Sequence, residues 1–445
     1  MTRPPLPGGP YLVVGLARSG SAAALALAAR GEQVIGSDRA GLAPSELLAA
    51  GVELATDGIG ALDRARCVIK SPGVPATEPL IVAARERGIV VIGELELAWR
   101  LLPNEFVAVT GTNCKTTTVE LIGAIYRASG LGVVVAGNVG RALSVFATPP
   151  PHGEGPLDPS ITVVCEASSF QLEDTIEFAP HAAVLLNVAP DHLDRHGDMD
   201  SYLAAKLRVF AGQGSDDYAV VPASGVGAPL PGLGARLTFG SEAGADLRRD
   251  GDWLSWQGQR LVEVAAIRLR GRHNLENAMA AAAVTLACGL PLDGVHEGLA
   301  SFAGVAHRLE EVARVDGVLF VNDSKGTNVA STLVALRSFA PGSVHLIAGG
   351  RGKGEDFAPL REEVLARARA VYLIGEDGPA IGAALVPAPA EVAIVACGTL
   401  ERALAAARAA AVAGEVVLLS PACTSYDQFR DFEARGDEFK RLVLA

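Results

Sequence analysis

Phe106-Val107-Ala108-Val109-Thr110-Gly111-Thr112-Asn113-Cys114-Lys115-Thr116-Thr117 is an apolar run, a turn of small residues, and the entry to a helical pattern. A strand that feeds Gly111–Thr117 into a helix builds a phosphate cradle. Backbone N–H groups and the helix N-terminus face the oxygens, Lys115 adds a point charge near the outer phosphates, and the Thr116 hydroxyl suits Mg²⁺. Two positions depart from the full P-loop pattern. Val109 stands at its first Gly and Cys114 at the Gly before the lysine, where a Cβ resists a positive φ. An ordinary βα turn is the plainer alternative; the apolar run before the turn and the helix after it favour the cradle.

On the N-terminal side, Tyr11–Val14, Gln33–Ile35, Cys67–Ile69 and Ile89–Ile92 are short apolar runs separated by helical stretches such as Ser21–Arg30, the βαβ rhythm of a parallel sheet. Gly15-Leu16-Ala17-Arg18-Ser19-Gly20 opens a helix after the first run, although G-x-x-x-x-G is not the dinucleotide fingerprint G-x-G-x-x-G. On the C-terminal side, Ile161–Cys165 and Ala183–Leu186 are further strand candidates and Glu276–Ala287 an Ala-rich helix. From Gly304 onward Val344–Ala348, Val371–Ile374, Val392–Ala396 and Val416–Leu419 repeat the strand–helix alternation. The Pro/Gly-rich stretches Thr148–Ser160 and Pro222–Gly234 read as surface loops. The expected fold is α/β in three domains. A Rossmann-like N-terminal domain spans 1–102, a central P-loop ATPase domain with a parallel sheet spans 103–303, and a Rossmann-like C-terminal domain spans 304–445.

Bulk properties narrow the function classes. The chain has 445 residues, 49% hydrophobic and 20% charged, with a net charge of −12, which argues against nucleic acid or an anionic membrane as partner. Anionic small substrates stay open, because helix N-termini and local cations hold them against the global charge. Six well-separated cysteines without a C-x-x-C pair fit a reducing compartment. No run reaches the ~18 apolar residues a spanning helix needs, and a cytoplasmic location is expected.

Further residues carry chemistry. Glu166 follows a buried run, where a carboxylate at a strand's C-terminal end can bridge Mg²⁺ ions, although a capping or surface glutamate has the same spacing. His192 sits in an Asp-His pair; alone it reads as a solvated histidine. Lys206 has Tyr202, Val209 and Phe210 at i−4, i+3 and i+4, so its stem lies on an apolar face, the usual setting of a snorkelling lysine. Lys353 lies in a Gly-rich turn, Gly349-Gly350-Arg351-Gly352-Lys353-Gly354.

Together with Gly111–Thr117, five segments carry a family resemblance: Glu166-Ala167-Ser168-Ser169-Phe170-Gln171-Leu172-Glu173, Asn187-Val188-Ala189-Pro190-Asp191-His192-Leu193-Asp194-Arg195, Arg272-His273-Asn274, Asn322-Asp323-Ser324-Lys325-Gly326-Thr327-Asn328 and Ser420-Pro421-Ala422-Cys423-Thr424-Ser425. In order, and across essentially the whole chain, they resemble the Mur ligases of peptidoglycan assembly, most closely the branch that adds D-glutamate. The phosphate loop alone is shared with folylpolyglutamate synthases, so another Mur ligase or such a synthase is the alternative.

The resemblance implies an ATP-dependent ligase that joins D-glutamate to UDP-N-acetylmuramoyl-L-alanine through an acyl-phosphate, as a monomer. It implies ATP contacts at Gly111, Thr112, Asn113, Lys115, Thr116, Thr117, Asn274, Asn277, Arg308, Asp323 and Lys325. It implies catalytic roles for Lys115, Asn138, His192 and Lys206, and two Mg²⁺ ions held by Thr116, Glu166, His192 and a carbamate that Lys206 forms with CO₂. Arg18, Ser19, Arg39, Ser71 and Asn138 match positions that take the UDP-substrate, and Thr327, Lys353, Ser425 and Phe432 those around D-glutamate. A nicotinamide dehydrogenase would leave the Lys115 loop and Glu166 unused, and a GTPase-like switch would not need the third domain.

Overall fold

The computed structural model describes residues 3–42, 44–55, 57–269, 271–352, 356–387 and 392–445. The chain forms two compact units, Met1–Phe302 and Ala303–Ala445.

The first unit holds two sheets. Five parallel strands lie in the order Glu53–Leu54, Val34–Ser37, Tyr11–Val14, Cys67–Lys70, Val90–Gly93. Strands on either side of Tyr11–Val14 connect in opposite directions, which opens a crevice at the carboxyl ends of Tyr11–Val14 and Cys67–Lys70. The turn after Tyr11–Val14 runs into the helix Arg18–Ala28, whose Ala-rich face is buried against the sheet.

The second sheet has nine strands. Phe106–Thr110, all five residues buried, lies between Thr162–Glu166 and Ala182–Leu185. Seven strands are parallel, from Val133–Gly137 at one edge to Leu247–Asp250. Contrary to the expected all-parallel central sheet, Trp253–Trp256 and Gln259–Glu263 extend it antiparallel. The cause is local: Gly251 (φ +61°) and the Gln257-Gly258 pair (φ +48° and +88°) supply the left-handed residues of two-residue hairpin turns.

The helix Lys115–Ala128 repeats apolar residues at Val119, Ile122, Tyr126 and at Leu121, Ile125, and all five are buried. At ~25 cal/mol per Å² of apolar surface, each such side chain contributes roughly 2 kcal/mol. The helix packs against Arg272–Ala287, which is buried over most of its length and so shows no polar face.

Charged groups fasten the first sheet's domain to the second. Glu96, with no exposed surface, accepts from the Ile176 and Glu177 amides at 3.1 and 3.2 Å and pairs with Arg100 at 2.7 Å. Lys70, equally buried, pairs with Asp174 at 2.7 Å and Glu173 at 3.3 Å. Burial raises the Asp174 carboxyl above its usual range, with Lys70 working against that shift.

The second unit carries six strands in the order Glu310–Val315, Val318–Asn322, Val416–Leu419, Val344–Gly349, Ala368–Ile374, Ala393–Gly398. All neighbours are parallel except Glu310–Val315, an antiparallel edge strand that the sequence reading did not place.

Candidate active site

The loop Gly111–Cys114 leaves its strand, third from the Val133–Gly137 edge of the nine-stranded sheet, and is tied to the next crossover. Thr112 N donates to Asn187 O and Asn113 N to Asn187 Oδ1, each at 2.9 Å. Thr112 Oγ1 accepts from the Ala189 amide at 3.0 Å and lies 3.2 Å from the Tyr202 hydroxyl. Gly111 takes φ +156°, and a Cβ there would stand 3.1 Å from Leu186 Cβ. Cys114 takes the left-handed conformation, φ +67°, as the residue before the helix, so the loop keeps a glycine-like path and the side chain absorbs the strain. Lys115 folds back, Nζ donating to Gly111 O and Thr112 O, both at 2.9 Å.

Around the loop the structure assembles four of the anticipated side chains. Glu166 ends its strand 3% exposed; Oε2 accepts from Thr116 Oγ1 at 2.8 Å and Oε1 from Asn138 Nδ2 at 2.9 Å. Asn138 is held beside it because the Glu166 carbonyl accepts its amide at 2.9 Å. The preceding Gly137 (φ +114°) would set a Cβ 2.4 Å from that carbonyl, so only glycine permits the approach.

Lys206, on the helix Met199–Ala211, is 1% exposed and donates to Gly111 O at 2.8 Å, the same carbonyl that Lys115 uses. Its ammonium lies over the Tyr202 ring, 4.4 Å from the centroid. Burial, then repulsion from Lys115, lowers its pKa to about 7, with Asp191 opposing.

His192 is the left-handed residue before the short helix Leu193–His196, half-exposed, with Nε2 3.5 Å from Asp191 Oδ2 and its ring 4.7 Å from Phe170. Thr117 is buried in the first turn of the loop helix. Asn274, in the first turn of Arg272–Ala287, accepts at Oδ1 from Nδ2 of Asn277 one turn on, at 3.1 Å.

The first sheet's crevice is a cleft of about 850 Å³ lined by Gly15, Asp38, Arg39, Gly73, Val74 and Glu78 among others. Ser71 Oγ donates to Gly15 O at 2.7 Å, so Ser71 fixes the turn that precedes Arg18 and Ser19. Arg18 reaches across to Asn138 O at 3.3 Å. Asp38, which the sequence reading passed over, accepts from Leu16 N at 2.7 Å and Ala40 N at 2.8 Å. Arg39 beside it is 91% exposed and 3.9 Å from Glu78.

In the second unit Asp323 is 2% exposed. It accepts from Leu309 N at 3.2 Å and Ser420 Oγ at 2.7 Å, and burial raises its pKa to about 6, against Arg308 and those hydrogen bonds. Both its oxygens already serve the protein, at a position where the resemblance implies an ATP contact. Arg308, which forms an isolated antiparallel bridge with Val305, is part-buried. Lys325 lies 5.9 Å from the Phe432 ring centroid, Thr327 donates its amide to Lys325 O at 2.9 Å, and Ser425 is buried. Lys353 lies outside the described residues.

Arg435, also unforeseen, is 1% exposed. It donates to Ser324 Oγ and O at 2.9 Å, Cys423 O at 3.1 Å and Thr424 O at 3.2 Å, joining the two loops that carry Lys325 and Ser425. An arginine inside a helix offers no sequence signal of this role.

The donor set suits Mg²⁺. Glu166 and Thr116 offer hard oxygens 2.8 Å apart, and among the described residues no three His, Cys, Asp or Glu side chains converge. Mg²⁺ binds in this way, through one or two protein oxygens with phosphates and waters completing the shell.

Two family profiles match the chain: the Mur ligase middle domain over residues 109–285, and the Mur ligase glutamate ligase domain over 307–423. The UDP-N-acetylmuramoylalanine--D-glutamate ligase of Anaeromyxobacter dehalogenans is 44% identical, with 100% of this chain and 99% of that protein aligned. The enzyme of that name from Pelotomaculum thermopropionicum is 42% identical over 98% and 97%. The fold is shared with the Thermotoga maritima UDP-N-acetylmuramate-alanine ligase (TM-score 0.60, 21% identity, 98% and 99% covered). It is shared also with the MurF ligase of Thermotoga maritima in complex with ADP (TM-score 0.59, 18% identity, 94% and 96% covered).

Proposed function

The chain belongs to the Mur ligase family, and from this we infer that it joins D-glutamate to the alanine carboxylate of UDP-N-acetylmuramoyl-L-alanine in peptidoglycan synthesis, using ATP. The observation that carries the reading is 44% identity along the full length of a ligase bearing that name.

A carboxylate is a poor acyl donor to an amine, because its oxygen leaves badly. The alanine carboxylate attacks the γ-phosphorus of ATP and yields an acyl-phosphate and ADP. The D-glutamate amine then attacks the acyl carbon, and phosphate leaves with the former carboxylate oxygen. The protein's part is positioning and charge compensation. The Gly111–Thr117 amides cradle the phosphates. Lys115, whose Nζ now rests on the loop carbonyls, turns its charge to the transferring phosphoryl group. Asn138, locked on Glu166, directs its amide to the reacting carboxylate. Thr116, Glu166, His192 and a carbamylated Lys206 are the residues that would hold Mg²⁺, which supplies neutralisation of the triphosphate charge when bound. A lysine with pKa near 7 offers CO₂ the neutral amine that carbamylation needs.

Arg18, Ser19, Arg39 and Ser71 take the uridine nucleotide in the first cleft, with Asn274, Asn277, Arg308, Asp323 and Lys325 on ATP. Thr327, Lys353, Ser425 and Phe432 take D-glutamate. The enzyme acts as a cytoplasmic monomer.

The deciding experiment measures ADP formation from ATP and UDP-N-acetylmuramoyl-L-alanine with each amino acid in turn. D-Glutamate alone should sustain turnover. Equal turnover with L-alanine, diaminopimelate or L-glutamate would overturn the assignment.

A further inference from the structure

We propose that Arg195 is a positioning residue that transmits binding at the uridylyl end of the substrate to the reacting end, by fixing the wall of the first cleft against the loop that carries His192. The proposal rests on the function just inferred, because it assigns that substrate's nucleotide to the first cleft.

Arg195 lies three residues after His192, at the end of Leu193–His196. Its Nη1 donates to Pro72 O at 2.8 Å, and its Nη2 donates to Val74 O at 3.3 Å and to the Glu173 carboxylate. The accepting carbonyls belong to the Ser71–Val74 turn. Gly73 and Val74 of that turn line the 850 Å³ cleft, and Ser71 holds the Gly15 carbonyl opposite. On its other side the guanidinium lies over the Phe170 ring, 4.0 Å from the centroid, and the same ring meets His192 at 4.7 Å and His196 at 5.6 Å. Phe170 itself follows Glu166 by four residues on the crossover from the same strand. One side chain therefore touches the cleft wall, the Glu166 crossover and the ring that supports His192.

A purely structural fastener is already present at this boundary. Lys70 pairs with Asp174 at 2.7 Å and donates to Val74 O at 2.8 Å. What Arg195 adds is the connection onward to the His192 loop, and a planar fork is what that connection needs. A lysine offers no flat face to Phe170 and cannot hold two carbonyls and a carboxylate in one plane. Enzymes use binding energy from remote parts of a substrate to orient the reacting centre, and that transfer needs a stiff path between the two.

The test is a double cycle in substrate and protein. Turnover is measured with UDP-N-acetylmuramoyl-L-alanine and with N-acetylmuramoyl-L-alanine 1-phosphate, which lacks the uridylyl group, for the wild-type chain and Arg195→Met. Arg85→Ala serves as control, since Arg85 joins the same ionic cluster through Asp174 at 3.3 Å but does not touch the His192 loop. Truncating the substrate should lower wild-type kcat, and should cost Arg195→Met on the order of tenfold less than it costs wild type. KM for D-glutamate should stay unchanged, and Arg85→Ala should pay the full wild-type penalty. Equal truncation penalties in wild type and Arg195→Met overturn the proposal. If circular dichroism shows Arg195→Met unfolded, Arg195→Lys is taken through the same cycle, with the same two outcomes. Absence of wild-type turnover with the full substrate would instead overturn the functional reading, and this inference with it.

Discussion

Cys114 shows how one side chain fits a loop shaped for glycine. Its φ of +67° costs an L-residue roughly 1–2 kcal/mol, part of it offset by contacts with the core beneath the loop helix. Cys114→Gly should therefore raise stability by about 0.5 kcal/mol and leave kcat within about twofold; thermal unfolding and steady-state kinetics check both. Lys206 poses a charge problem in the same few ångströms. The folded side chain releases its proton near pH 7 and the unfolded one at the ordinary lysine value of 10.5, so unfolding takes up a proton between these values. The residue's contribution to stability accordingly rises with pH across that window. In CO₂-depleted buffer the melting difference between wild type and Lys206→Met should shift toward wild type from pH 7 to pH 9. Activity of Lys206→Ala should be restored in part by acetate, a short carboxylate able to stand where the carbamate would; a folded variant unmoved by acetate would remove the carbamate from the mechanism. Asp323 has the opposite sign. Its pKa of about 6 exceeds the unfolded 3.8, so its stabilising contribution, full below 3.8, is lost as pH rises through 6. Asp323→Asn should be more stable than wild type at pH 7.5, by up to about 3 kcal/mol, and lose that advantage at pH 4. The Asn amide can donate to Ser420 Oγ, whose own proton then turns to Thr332 Oγ1 at 3.1 Å.

Most of the strands that apolar runs located are buried on both faces, with the largely exposed Ala393–Gly398 an exception. Phe106–Thr110, Val344–Gly349 and Val416–Leu419 read as unbroken apolar runs because helices cover both sides of a parallel strand. Leu247–Asp250 escaped because Arg248, Arg249 and Asp250 hide its single buried leucine, and Glu310–Val315 because an edge strand needs no apolar run. Glu53–Leu54 is too short for any pattern. At the site, the loop motif pointed to Thr116, a strand end to Glu166 and an apolar helical face to the buried stem of Lys206, whereas Asn138 and the role of Lys206 came only from the family resemblance. Asp38, Arg195 and Arg435 were not legible, since each acts on backbone carbonyls or amides from distant segments and its own neighbours say nothing of them. The strand–loop–helix unit also yields a direct expectation. Glu166→Gln preserves the shape between Thr116 and Asn138 but removes the negative charge that would hold Mg²⁺ in the proposed reaction. Its kcat should fall on the order of 10³-fold with circular dichroism unchanged; a folded variant with kcat near wild type would dismiss Glu166 as a metal ligand.

Across the whole chain the net charge is −12, whereas the substrates of the proposed reaction are all anions. Under that reading binding would be local, through the loop amides, Lys115 and helix N-termini, and added salt should weaken it less than it weakens recognition by a diffuse basic patch. Among the described residues, four hydrophobic clusters lie in Met1–Phe302 and two in Ala303–Ala445, so each unit has an apolar core of its own. Cooperative unfolding follows shared apolar packing, so the two units should melt in separate calorimetric transitions. A ligand stabilises only the unit whose native state binds it, by about 2.7 kcal/mol at a hundred times its Kd. The UDP-sugar substrate, added without ATP, should raise the midpoint of the transition belonging to residues 1–302 and leave the other in place. The separately expressed fragment 303–445 identifies which transition is which. A single transition that the UDP-sugar shifts as a whole would mean that the two units unfold as one, against the division of the core.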